Sequence, residues 1–158
     1  MSSTLDRATE ERLVRLAMAQ AAKAIDRGDA PFGAVLADAD GRVLAKASNR
    51  QVSRHDPTAH GEITLLRVAA RRLGRLTFEG LRVVTNAEPC SMCLSAMVKA
   101  RVAAITFGAA HEPHIDPPIA AEEIVGRAHH RVELRGGILA AECAAQIRAA
   151  RGIATAPD

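Results

Sequence analysis

Between Glu10 and Asp26, apolar residues fall at Val14, Met18, Ala21/Ala22 and Ile25, intervals of three and four that predict an amphipathic helix closed by Gly28. Phe32 to Ala37 and Val43 to Ser48 read as strands. The segment between them, Asp38-Ala39-Asp40-Gly41, is a hairpin turn, because Asp-Gly tolerates the positive φ of a tight turn. Those two strands are therefore expected to be antiparallel. Arg54 to Pro57 reads as loop, with Pro57 biasing Asp56 away from helix. Thr58 is the expected N-cap of a helix running to about Leu73, with Ile63, Leu66, Ala70 and Leu73 as its buried face and Gly74 as its stop.

Beyond this point strand and helix alternate: Leu81–Thr85, Cys90–Lys99, Val102–Phe107, Ile119–Arg127, Arg131–Leu134 and Leu139–Ala150. In the last helix Leu139, Cys143 and Ile147 share one face. The order αββαβαβαβα predicts an α/β fold: a three-layer α/β/α sandwich around a five-stranded mixed sheet, mostly parallel. Neither a repeat nor a linker interrupts it, so residues 1–158 are expected to form one domain.

Composition adds a few constraints. Charged residues at 25% and apolar residues at 48% are ordinary for a soluble globular chain. With three Phe and neither Trp nor Tyr, the core must be built from Ala, Val, Leu and Ile, and few rings remain to stack on a planar ligand. Lys and Arg number 21 against 18 Asp and Glu, and three of the 21 are Lys. The densest basic cluster, Arg67, Arg71, Arg72 and Arg75, reads as a solvated helix face; nucleic-acid contact is the alternative. No apolar run reaches the roughly 18 residues a membrane span needs. The N-terminal residues lack the basic and apolar regions of a secretory signal. The expectation is a cytoplasmic protein with reduced thiols and no membrane partner.

The chemistry concentrates in two short segments. His60-Gly61-Glu62 is followed, 28 residues after Glu62, by Cys90-Ser91-Met92-Cys93 with Pro89 just ahead. His60, Cys90 and Cys93 are good zinc ligands. Structural zinc takes four protein ligands, whereas catalytic zinc keeps one position for water. Three ligands with a spare carboxylate therefore read as a hydrolytic centre with one Zn2+ per chain. A closed structural site with Cys143 or His111 as fourth ligand is the bland alternative. Cys143 itself sits on an apolar stripe and reads as a small core residue. His60 and Glu62 lie about 200° apart on an ideal helix. They can share a pocket only where a helix starts, as Asp56-Pro57-Thr58 suggests.

Together with Pro31-Phe32-Gly33-Ala34-Val35, Asn49 and Asp56-Pro57-Thr58-Ala59, these motifs resemble the cytidine-deaminase-like superfamily, zinc-dependent deaminases of nucleobases and nucleosides. The resemblance runs from about Phe32 to Ala149. It implies zinc on His60, Cys90 and Cys93, Glu62 as the catalytic proton shuttle, and Asn49, Phe32 and Ala59 on the substrate side. It also implies a homodimer. Gly61 departs from the family's usual Ala.

Two branches compete. Asn49-Arg50, Arg54 to Thr58, His130 to Glu133 and Gly137 to Cys143 resemble the tRNA adenosine deaminases. Phe32 matches the guanine deaminases. After Phe107-Gly108-Ala109 the tRNA enzymes carry a small-residue Gly-Ala-Ala-Gly-Ser stretch, whereas this chain has Ala110-His111-Glu112-Pro113-His114-Ile115-Asp116-Pro117-Pro118. This segment follows a strand, where α/β folds place specificity loops. There His111, His114 and Asp116 are candidates to read the polar edges of a small ring. The reading favours a guanine-like deaminase of a small amino-heterocycle over a tRNA adenosine deaminase. A non-catalytic zinc-stabilised binding module is the other class.

Overall fold

The computed structural model describes residues 4–112 and 114–152. Helix α1 (Arg7–Arg27) starts where Asp6 accepts the Thr9 N–H at 2.7 Å. It stops at Gly28, whose φ of 84° lets its N–H reach the carbonyls of Ala24 and Ile25. Strands β1 (Gly33–Ala37) and β2 (Val43–Ser48) make the expected antiparallel hairpin. Its turn is tied by Asp38, which accepts the N–H groups of Asp40 and Arg42. Then follow α2 (Gln51–Arg54), α3 (Gly61–Leu73), β3 (Arg82–Ala87), α4 (Ser91–Lys99), β4 (Ala104–Ala109), α5 (Ala121–Val125), β5 (Glu133–Arg135) and α6 (Ala140–Ala150).

The sheet is five-stranded and mixed, in the order β2-β1-β3-β4-β5. β1 is antiparallel to both neighbours, while β3, β4 and β5 run parallel. Alternate residues of the central strands face opposite layers. Ala34, Leu36, Val83 and Ile105 pack with Leu65, Ala69 and Met97 of α3 and α4. Val35, Ala37, Val84 and Ala109 pack with Leu13, Ala17, Cys143 and Ile147 of α1 and α6. That is the α/β/α sandwich. Among the described residues no helix is long and apolar enough to cross a membrane.

Three local expectations are corrected. Residues 51–54, next to the expected loop, coil into the short α2, so that Arg54 ends a helix. Thr58 is not the N-cap of α3, because its N–H and hydroxyl both go to Asp56 Oδ1, at 2.8 and 2.7 Å. The cap position falls to His60, with φ −60° and ψ 159°. Finally, both long helices are rotated from their expected faces. In α1 the buried line is Leu13, Val14, Ala17, Ala21 and Ala24, with Ala22 exposed. In α3 it is Leu65 and Ala69, with Ile63, Leu66, Ala70 and Leu73 at its margins. The reason is close approach: a Cβ on Gly33 would lie 2.1 Å from the Ala17 carbonyl oxygen. On α1, Ala17 and Ala21 lie where Gly33 of β1 comes close, with Leu13 and Val14 packed beside them.

Candidate metal centre and pocket

The parallel pairing of β3 with β4 ends at Ala87 opposite Ala109, and the Glu88 N–H donates to the Ala109 carbonyl at 2.7 Å. The segments leaving these strands, Glu88–Cys90 and Ala110–Glu112, therefore begin side by side at the carboxyl end of the sheet. Cys90 caps α4 with φ −71° and ψ 167°, as His60 caps α3. Two helix starts thus converge, and their free N–H groups give the region a positive potential that favours thiolate.

His60 Nδ1 lies 3.5 Å from the sulfur of Cys90 and 3.5 Å from that of Cys93. All three ligand atoms fall within 4.8 Å of one another. A tetrahedral zinc with Zn–S of about 2.3 Å and Zn–N of about 2.0–2.1 Å separates N from S by about 3.5 Å. The donor set fits a zinc ion in chemistry and in spacing. Hydrogen bonding from Cys93, and then from His60, holds the Cys90 thiol down at about 4. The same contact with Cys90, together with burial, pushes Cys93 up; a coordinated cation would remove that proton as well. His60 is raised by its contact with Cys90.

Neither candidate for a fourth ligand reaches the centre. Cys143 packs in the opposite layer with α1 and α6, where burial raises its thiol to about 11. His111 is held by other partners: Nδ1 pairs with the Glu88 carboxylate, and Nε2 lies 2.9 Å from the Pro89 carbonyl. Both ring nitrogens therefore face acceptors. Burial raises the Glu88 carboxyl, and His111 opposes this.

Glu62, second in α3, lines the same cavity as His60 and Cys90 and is 7% exposed. The irregular helix start brings His60 and Glu62 together, as the spacing required. Burial raises the Glu62 carboxyl, and a hydrogen bond from Cys93 partly opposes this. At Gly61, an added Cβ would meet Phe32 O at 3.4 Å and Asn49 N at 3.6 Å, ordinary contacts. Gly61→Ala is therefore expected to leave kcat/KM unchanged and to raise stability in urea unfolding by about 0.4–1 kcal/mol.

The cavity has a volume of about 780 Å³. Phe32, His111, His114 and Asp116 line it. His114 and Asp116 are exposed at its rim, and Pro113 of the same segment lies outside the described residues. Ala59 and Asn49 are both fully buried and are not among the lining residues. The Asn49 amide is turned onto Gln51 instead.

Several lining residues escaped the sequence reading: Gln51, Asn86, Glu88, Met92 and Arg151. Asn86 is fully buried; it accepts the Gly33 N–H at 3.0 Å and donates to the Pro31 carbonyl at 2.9 Å, fixing the backbone on both sides of Phe32. An amide inside a buried strand was the available signal, since such a group must find partners. Arg151 pairs with Glu112 at 2.9 Å, and its guanidinium lies 5.4 Å from the Phe32 ring centroid. The Arg67–Arg75 cluster stays on the solvated face of α3 and its C-terminal loop, where Arg67 pairs with Asp56 and Arg75 with Glu79.

Comparison with known proteins gives a consistent set of matches. The family model for the cytidine and deoxycytidylate deaminase zinc-binding region matches residues 7–109. The tRNA-specific adenosine deaminase of Agrobacterium fabrum (strain C58 / ATCC 33970) is 34% identical over 147 residues, 89% of this chain and 93% of its own. The guanine deaminase of Bacillus subtilis (strain 168) is 36% identical over 102 residues, 64% of this chain and 65% of its own. A structure solved in studies of A-to-I editing by tRNA:A34 deaminases at the wobble position of transfer RNA superposes with a TM-score of 0.74 at 34% identity. The match covers 85% of this chain and 98% of that one.

Proposed function

The chain belongs to the cytidine and deoxycytidylate deaminase zinc-binding family, and we propose that it hydrolyses the exocyclic amine of a free amino-substituted nucleobase, or a related amino-heterocycle of the guanine kind, releasing ammonia. In this reading His60, Cys90 and Cys93 hold the zinc, which when bound supplies a Lewis acid that lets water act as a nucleophile near neutral pH. Glu62 moves the protons. It takes one as water adds to the ring carbon and forms the new C–O bond. It passes that proton to the ring nitrogen, then takes the remaining proton from the new hydroxyl and gives it to the amine, which leaves as ammonia as the C–N bond breaks and the C=O bond forms. One carboxylate suffices because the transfers are sequential. Asn86 holds the backbone around Phe32, so the ring wall is set before substrate arrives.

The observation that carries the choice of substrate is the charge of the cavity wall. Its lining includes four carboxylates, Glu62, Glu88, Glu112 and Asp116, against one Arg; Glu88 is paired with His111, and Glu112 and Arg151 with each other. Recognition of a transfer RNA needs Lys or Arg for its phosphates. Acceptor oxygens instead suit the N–H edge of an aminopurine or aminotriazine. The volume, about 780 Å³, is within the range of small-molecule pockets.

A second reading, adenosine in transfer RNA, is favoured by the match to the tRNA-specific enzyme across 89% of this chain. The deciding experiment sets guanine, 2,6-diaminopurine, aminotriazines and cytosine against an anticodon stem-loop, with ammonia release and inosine formation as readouts. Turnover of a free ring with no inosine in the stem-loop is the expected outcome. Efficient inosine formation with no free base turned over would replace the first reading by the second.

A further inference from the structure

The two turns that carry the metal ligands are tied down by different means. The His60 turn is tied locally. The Ala59 N–H donates to the Asp56 carbonyl at 3.2 Å, the His60 N–H to that of Thr58 at 2.8 Å, and Thr58 bonds the Asp56 carboxylate. The Cys90 turn is tied from the neighbouring strand. The Glu88 N–H donates to the Ala109 carbonyl at 2.7 Å, and His111 follows two residues further along that segment. Its Nε2 lies 2.9 Å from the Pro89 carbonyl, and its Nδ1 pairs with the Glu88 carboxylate. One imidazole ring therefore spans both residues that precede Cys90.

That contact reaches the ligand through the backbone. The peptide between Pro89 and Cys90 is planar, so the Pro89 carbonyl and the Cys90 nitrogen turn as one body. The proline ring holds φ of Pro89 at about −65°. Its ψ is then the torsion left to orient that plane, and His111 holds the carbonyl at the plane's edge. Beyond the plane, Cys90 has φ −71° and ψ 167°, and its carbonyl accepts the Leu94 N–H at 2.9 Å in the first turn of α4. With the plane held on one side and the helix on the other, the Cα–Cβ direction of Cys90 is set. So is the place of its sulfur, 3.5 Å from His60 Nδ1.

A carbonyl oxygen only accepts, so Nε2 carries the hydrogen of that bond. The side chains of His111 and Glu88 are 14% and 10% exposed, so little water is at hand to replace either contact, and a lost partner leaves a polar group unpaired. With both nitrogens engaged, the ring keeps no N–H or lone pair for a substrate, although it stands on the cavity wall. Resting on the zinc site of the reading above, we infer that His111 is a positioning residue for the metal centre. It clamps the Pro89–Cys90 peptide and thereby sets the geometry and the affinity with which Cys90 binds zinc.

The test withdraws zinc from the loaded chain with a chromogenic chelator, and records the visible absorption of the cobalt-loaded chain, which reports the geometry of a thiolate-bound site. His111→Ala, His111→Asn and His111→Gln are compared with the wild-type chain, each checked for fold by circular dichroism. Gln places an amide N–H near the position of Nε2 and keeps the bond to Pro89. Asn places one near Nδ1 and keeps only the pair with Glu88. His111→Ala and His111→Asn are expected to weaken zinc about 10- to 100-fold, the usual cost of removing a group that orients a metal ligand, and to shift the cobalt bands. His111→Gln is expected to restore both. A role in packing alone would lower the melting temperature without separating Asn from Gln. If His111→Ala does not fold, the Asn and Gln pair decides. Wild-type zinc affinity and cobalt bands in His111→Asn, or failure of Gln to recover what Asn loses, overturns the inference. So does a weaker Kd for guanine, measured in the Glu62→Gln background, with metal affinity intact; that outcome makes His111 a ring reader. A wild-type chain that holds zinc but releases no ammonia refutes the deaminase reading and leaves this one standing. One that holds no zinc overturns both.

Discussion

Protein stripped of zinc by a chelator is expected to release no ammonia from any ring, yet to remain folded, and zinc restored to one ion per chain is expected to bring activity back. The two halves of this expectation have different physical grounds. Loss of activity follows from the ligand set: three donors whose 3.5 Å N···S separations match the edge of a zinc tetrahedron, with both nearby candidates for a fourth ligand engaged elsewhere. Retention of the fold follows from the core. The sheet is covered by two apolar layers, and Cys93 is one member of a cluster that also holds Leu65, Leu94, Met97 and Ile105. Small zinc modules unfold without metal because they lack such a core; this chain has one on each face. Elemental analysis, circular dichroism and ammonia release on one sample separate the outcomes. An apo-protein that unfolds means that the zinc is structural, and an apo-protein that turns over means that the chemistry lies elsewhere.

The motifs carrying the metal centre were legible because each lies within a few residues of chain. His60, Cys90 and Cys93 need only two helix starts to meet. Glu62 could be placed with them once Asp56-Pro57 marked the start of α3. The layer architecture was legible for a similar reason, since β1, β3 and β4 are short apolar runs between turn signals. The helix faces were not. Alanine is too small to mark a stripe, yet Ala17 and Ala69 are fully buried while Met18 and Leu66 lie at the margins. The far wall of the pocket was not legible either, because tertiary pairing builds it. Glu88 meets His111 only because β3 and β4 end in register. His111, expected to read a ring edge, has both ring nitrogens committed to Glu88 and Pro89. Asn49, expected at the substrate, is turned onto Gln51, and α2, which presents Gln51, carries no apolar period that would announce a helix.

Glu62→Gln is expected to keep zinc, fold and ring binding while kcat falls by about 10²–10⁴, the contribution typical of a positioned acid–base group. The amide matches the carboxylate in volume, so the packing around the start of α3 should survive the change. What it cannot do is take up a proton and give it back. The surroundings suit the wild-type group for that task. Burial raises the Glu62 carboxyl above its ordinary value, and displaced carboxyl groups in clefts are common among catalytic acids and bases. Glu62 is also absent from the compact donor group of His60, Cys90 and Cys93, so metal content is the sharpest control. A variant that loses zinc along with activity would make Glu62 a ligand or a prop for one. A variant with kcat near the parent's would remove it from the chemistry altogether. Full zinc occupancy, an unchanged Kd for the best ring and a collapsed kcat together are the signature of a proton carrier.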